Sequence, residues 1–117
     1  MRIERELLKG VLPLAVLKLL SRRSMYGYEL VEALRRKTEG VLEMGESTLY
    51  PLLYNLEAKK LIRGVWRSES GRRRKYYALT KKGLARLHSN EKQWERLLVV
   101  MRDLGLVSPA SEGADGR

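Results

Sequence analysis

Four consecutive cations, Arg72, Arg73, Arg74 and Lys75, follow Ser70-Gly71, a pair suited to a tight turn between two strands. Beside so short a turn their charges cannot neutralise one another and must face solvent or an anion. Arginine reaches a phosphate with a forked guanidinium that donates two parallel hydrogen bonds. Earlier in the chain Ser47, Thr48, Tyr50, Pro51, Tyr54 and Asn55 form a second group. Its hydroxyls and amide are of the kind that bond phosphates and base edges, Asn55 being suited to adenine. Each group has a plainer reading: the tyrosines pack on neighbouring helices, and a run of cations is usually a solvated face. Their order in the chain favours duplex DNA, because a helix can enter the major groove while a basic hairpin grips the adjoining backbone.

The elements that must hold these groups follow from periodicity. Leu49, Leu52, Leu53 and Leu56 obey the i, i+3, i+4, i+7 rule and predict a helix starting between Gly45 and Ser47 and running to about Lys59. Pro51 favours the later start, since within the first turn it would remove no helical hydrogen bond. The side opposite the leucines is then Ser47, Pro51, Tyr54, Asn55 and Ala58, flanked by Thr48 and Tyr50. Residues 62–69 and 73–79 are rich in Val, Trp and Tyr and predict the two strands of the hairpin. Trp66 belongs to strand or core packing.

Upstream, Leu7, Leu8, Val11 and Leu12 predict a short leading helix, a bend around Gly10–Pro13, and a buried helix to about Arg22. Ser24 is a candidate cap for the next helix, whose apolar face is Leu30, Val31 and Leu34, with Gly40 as its stop signal. Thr80 is placed to cap a long last helix. There Leu84, Leu87, Glu91, Trp94, Leu98 and Met101 recur at alternating spacings of three and four, the seam of a coiled coil with Glu91 as its polar member. On spacing alone Trp94 is a dimer-core aromatic; the sharper reading makes it a stacking surface for an aromatic effector. The stretch from Ser108 onward has nothing to bury and reads as a flexible tail.

Composition removes several classes of chemistry. The 117 residues allow one core, and 44% hydrophobic with 32% charged residues is the make-up of a folded protein. With no cysteine and one histidine, His88, there is no thiolate site, no His-rich metal cluster and no Ser-His-Asp triad. No enzyme activity, metal or cofactor is expected. A net charge of +10 attracts polyanions. Apolar runs are too short and interrupted for a bilayer span, and the start lacks a signal-type cleavage site, so no membrane role and a cytoplasmic location are expected.

Met25-Tyr26-Gly27-Tyr28-Glu29-Leu30, Ser47-Thr48-Leu49-Tyr50-Pro51-Leu52-Leu53 with Leu56-Glu57, and Gly71-Arg72-Arg73-Arg74-Lys75-Tyr76-Tyr77 with Leu79-Thr80 and Gly83 appear in that order. In this the chain resembles the PadR-family transcriptional regulators, in particular the short subfamily that ends in one long helix. The resemblance covers roughly residues 7–100. It implies a homodimer joined through the last helices, usually a repressor, on palindromic operators. The helix matching 47–59 would enter the major groove and the hairpin matching 65–77 would lie along the backbone. Some members release DNA when phenolic acids or flat aromatic drugs bind at the dimer centre, and Trp94 lies where a tryptophan of multidrug-sensing relatives stacks on them. Tyr54 and Asn55 stand where many members carry a more basic pair, which shifts more of the grip to the wing.

The expectation is therefore a mainly α protein with a small β-hairpin: a winged helix-turn-helix over residues 1–79, a C-terminal dimerisation helix over 80–105 and a flexible tail over 106–117. Ser47, Thr48, Tyr50, Pro51, Tyr54, Asn55 and Arg72 to Lys75 are the expected DNA contacts. Trp94, Glu91, Leu87, Leu98 and Met101 are the expected dimer-interface or effector-binding residues. The rival reading is a winged-helix module whose basic face serves RNA or a protein partner.

Overall fold

The computed structural model describes residues 3–108. The elements are α1 (Arg5–Leu20), β1 (Met25–Tyr26), α2 (Gly27–Lys37), α3 (Glu46–Ala58), β2 (Ile62–Glu69), β3 (Arg72–Leu79) and α4 (Lys81–Asp103). Four helices and a three-stranded antiparallel sheet of order β1-β3-β2 make the expected winged helix-turn-helix, with α4 appended. Two compact units divide at α4, the first ending at Leu87 and the second starting at His88. Of the tail expected over 106–117, the part beyond Ser108 lies outside the described residues.

The core of the first unit is leucine-rich: Leu17 and Leu20 from α1, Leu30 and Leu34 from α2, Leu49, Leu53 and Leu56 from α3, then Leu61, Ile62 and Tyr77. Leu52, the fourth leucine of the α3 pattern, is only half-buried against that core.

Three details depart from expectation. The N-terminal segment is one helix with no break, and Pro13 sits inside it. Proline deprives the Lys9 carbonyl of its helical donor, but Lys9 is exposed and water can substitute. Burial of Leu12, Val16, Leu17, Leu19 and Leu20 along one side holds the helix together across that gap. Next, Ser24 does not cap α2. Tyr26 occupies that position, and its N–H donates to Glu29 Oε1 at 3.2 Å. The chain is held there because Met25 and Tyr26 pair with Tyr77 and Tyr76 as a short third strand. Finally, α3 starts at Glu46 on an N-cap Gly45, which puts Pro51 beyond the first turn. One helical bond to Ser47 is lost, at a carbonyl on an exposed part of the helix.

The hairpin and the last helix form as expected. Ser70 and Gly71 both take positive φ (51° and 78°), the two-residue turn whose twist matches antiparallel strands. That turn fixes the register from Ile62↔Leu79 to Glu69↔Arg72. Thr80 accepts the Gly83 N–H at 3.0 Å on its hydroxyl oxygen and opens α4.

Candidate nucleic-acid interface

The exposed side of α3 and the basic hairpin are brought together through the start of α2. Tyr26, Gly27, Tyr50, Trp66, Arg73, Arg74, Lys75 and Tyr77 line one small cleft between them. Gly27 leaves room for Tyr50 there: a Cβ would lie 2.6 Å from the Tyr50 hydroxyl oxygen and would push that ring outward. Tyr50 thus packs across α2 while keeping 46% of its surface exposed. Tyr54 has no such support and projects with 73% exposure, the most open aromatic side chain of α3.

The remaining α3 residues divide. Ser47 is exposed. Thr48, Pro51 and Asn55 are exposed too, but they wall an open groove shared with Leu8 and Pro13 of α1 and Val31 of α2. The helix therefore offers two adjoining surfaces rather than the single flat side expected from a helical wheel.

Strand alternation sorts the wing cations by face, because side chains of consecutive strand residues point to opposite sides. Ile62, Gly64, Trp66 and Ser68 share a face with Leu79, Tyr77, Lys75 and Arg73. Its inner end enters the core through Ile62 and Tyr77. Lys75 belongs to this inner side: its Nζ lies 3.2 Å from Glu57 Oε1, while Glu57 Oε2 accepts the Gly64 N–H at 3.2 Å. The sequence groups Lys75 with the arginines as a phosphate contact; in the fold it also ties β3 to α3 through Glu57 while lining the cleft beside Tyr50. Arg73, further out, stacks at 5.0 Å over Trp66, which is 56% exposed.

The other face carries Arg63, Val65, Arg67 and Glu69 opposite Ala78, Tyr76, Arg74 and Arg72. Tyr26 meets Tyr76 edge to face with ring centres 5.3 Å apart. Arg67 lies 4.3 Å over Tyr76 and Arg74 lies 4.5 Å over Tyr26. The Tyr76 hydroxyl donates to Glu69 Oε1 at 2.8 Å, and that hydrogen bond, with burial, raises its pKa. Burial is the leading cause for Tyr77, whose phenol is also pushed up. Sequence reasoning did not place Arg67 or Tyr26 beside the wing cations. The signal for Arg67 was present: a two-residue turn at Ser70-Gly71 places it directly opposite Arg74.

On α4 the expected seam is split. Leu87 is buried in the core of the first unit, 2% exposed, so it packs within its own chain rather than at an interface. Glu91, Trp94 and Met101 are half-buried and Leu98 is 39% exposed. Leu97, Val99 and Val100 add further exposed apolar surface. No helix among the described residues is long and apolar enough to cross a membrane.

A leucine-cored helix-turn-helix with a basic two-stranded wing defines a winged-helix protein. Comparison with known proteins narrows this. The sequence profile described as "Transcriptional regulator PadR-like family" matches residues 16–89, and the chain belongs to that family, whose members are transcriptional regulators and not enzymes. The transcriptional regulator YqjI of Escherichia coli is 36% identical over 88 residues, 75% of this chain but 41% of YqjI. A Streptococcus transcriptional regulator of known structure is 38% identical, with TM-score 0.76 over 87% of this chain and 99% of its own. A PadR-family transcriptional regulator from Eggerthella lenta is 36% identical, also with TM-score 0.76, covering 85% of each chain.

Proposed function

We propose that the protein is a homodimeric, sequence-specific DNA-binding repressor that acts on an inverted-repeat operator. The observation that carries this reading is the exposed hydroxyl, phenol and amide side of α3 lying beside a wing rich in stacked arginines. Residues 1–79 serve as the DNA-binding part and 80–105 as the dimerisation helix. Ser47, Thr48, Tyr50, Tyr54 and Asn55 act at the major groove, with Pro51 shaping the same surface. Arg72, Arg73 and Arg74 meet the neighbouring backbone. A two-fold dimer sets two such helices about one DNA turn apart, so half-site centres stand roughly 10 bp apart.

Exposed apolar side chains along the second half of α4, including Leu97, Leu98, Val99 and Val100, support pairing through this helix. A flat aromatic effector at the half-buried Trp94, beside Glu91, is the proposed route to release of DNA. Work on chromosomal DNA would place the protein in the cytoplasm.

The test is binding to the DNA upstream of its own gene against random duplex over a salt series. Tight, competitor-resistant binding to the upstream DNA, with a steep salt slope, is the expected result. Equal, weak binding to both DNAs would count against that region as the operator. Tighter binding to single-stranded RNA than to any duplex would overturn the reading.

A further inference from the structure

Arg67 and Arg74 face each other across the hairpin, on the side of the sheet turned away from the core. Like charges directly opposite on neighbouring strands repel, yet neither side chain is left to swing away. Arg67 is stacked on Tyr76, Arg74 on Tyr26, and the two rings brace each other edge to face. A guanidinium held over a ring face still has N–H groups to offer an oxygen anion. Arg67 makes no ion pair among the described residues. The carboxylate on this face, Glu69, accepts the Tyr76 hydroxyl and stands 3.9 Å from Arg74, at the limit of an ion pair. Arg63 and Arg72 lie on the same face of the two strands, which therefore contribute four guanidiniums and one carboxylate, with Glu29 of α2 near the Tyr26–Tyr76 pair.

We propose that Arg67 and Arg74 are a preorganised clamp for a backbone phosphate of duplex DNA, with Tyr26 and Tyr76 as the residues that position it. The occupant follows from location: Arg74 also lines the cleft that holds Tyr50 of α3, so one half of the clamp stands next to the candidate reading helix while Arg67 extends the grip along β2. Stacking explains why the grip lies here rather than at Lys75, which Glu57 already engages. Because both arginines are held before DNA arrives, less rotamer freedom is lost on binding. The clamp rests on the DNA-binding reading above, and it makes the outer face of β2, absent from the run of cations in the sequence, part of the contact.

The experiment is a salt titration of binding to a random 30-bp duplex, which needs no knowledge of the operator. Arg67→Gln is expected to weaken binding about three- to tenfold at low salt and to reduce the log–log salt slope by about one. Lys37→Gln, at the far end of α2 from Tyr26, removes the same charge and should leave the slope unchanged. Tyr26→Leu should weaken binding, and Tyr26→Phe should restore it because the ring alone carries the stack. Circular dichroism and melting would be recorded for each variant to keep folding losses separate.

An unchanged slope for Arg67→Gln, in a wild-type protein that binds duplex with steep salt dependence, overturns the clamp alone. Equal slope losses for Arg67→Gln and Lys37→Gln would mean that net charge, not this pair, is measured, and would also overturn it. Full affinity in folded Tyr26→Leu removes the positioning role. Failure of the unchanged protein to bind any duplex overturns both the clamp and the DNA-binding reading.

Discussion

Tyr76 and Tyr77 are adjacent in β3 but face opposite sides of the sheet, and each is held neutral by a different cause. Tyr76 donates to Glu69, whereas Tyr77 is desolvated in the core. Both folded pKa values are raised, so the stability that the neutral phenols contribute is complete below the unfolded value of about 10 and is lost as pH rises past it. The urea midpoint should therefore fall in alkali, and Tyr77→Phe should make that fall shallower; an identical pH profile would count against the burial argument. Glu57 supports a second residue-scale prediction. It ties the Gly64 N–H and Lys75 to α3, so Glu57→Ala leaves a partly buried backbone donor unpaired. A loss of roughly 1–3 kcal/mol in chemical denaturation is expected.

Among the elements, the joint between the hairpin and α4 is closely tied by one side chain. The Thr80 hydroxyl lies 2.8 Å from the Lys60 carbonyl oxygen and 3.0 Å from that of Leu61, while its oxygen accepts the Gly83 N–H. Thr80→Ala should cost about 1–2 kcal/mol, the upper part of the range for lost caps. At Gly83 a Cβ would run into the Leu61 carbonyl oxygen, a backbone atom that cannot turn aside. Gly83→Ala should lower stability by about 1–3 kcal/mol or more through overpacking. Thermal melts of the two variants check both numbers; an unchanged Gly83→Ala melt would show that α4 shifts freely.

For the whole molecule, charge and apolar surface act at different places. The net charge of +10 is concentrated in part on the wing, while α4 exposes Leu97, Leu98, Val99 and Val100. Under the proposed dimer, Leu98→Glu puts a charge in the pairing surface and should convert the dimer to monomer in sedimentation analysis. Operator affinity should then drop far more than affinity for random duplex, because two linked half-sites are lost together. A dimer that survives Leu98→Glu would place the interface elsewhere.

Local rules determined much of this protein from its sequence. The leucine spacing of α3, the Ser70-Gly71 turn and the Thr80 cap each depend on residues within a turn or two of one another, where propensity and hydrogen bonding act directly. What the sequence left open involves partners distant in the chain. Tyr26 joins a sheet through Tyr76, Lys75 reaches Glu57 eighteen residues away, and Leu87 enters the core instead of a seam. Pro13 is kept helical by packing that no local signal reports. Which cations face the core side of the sheet and which face outward was decided by register and tertiary packing, because a run of four positive residues reads identically on either face until its strand is paired.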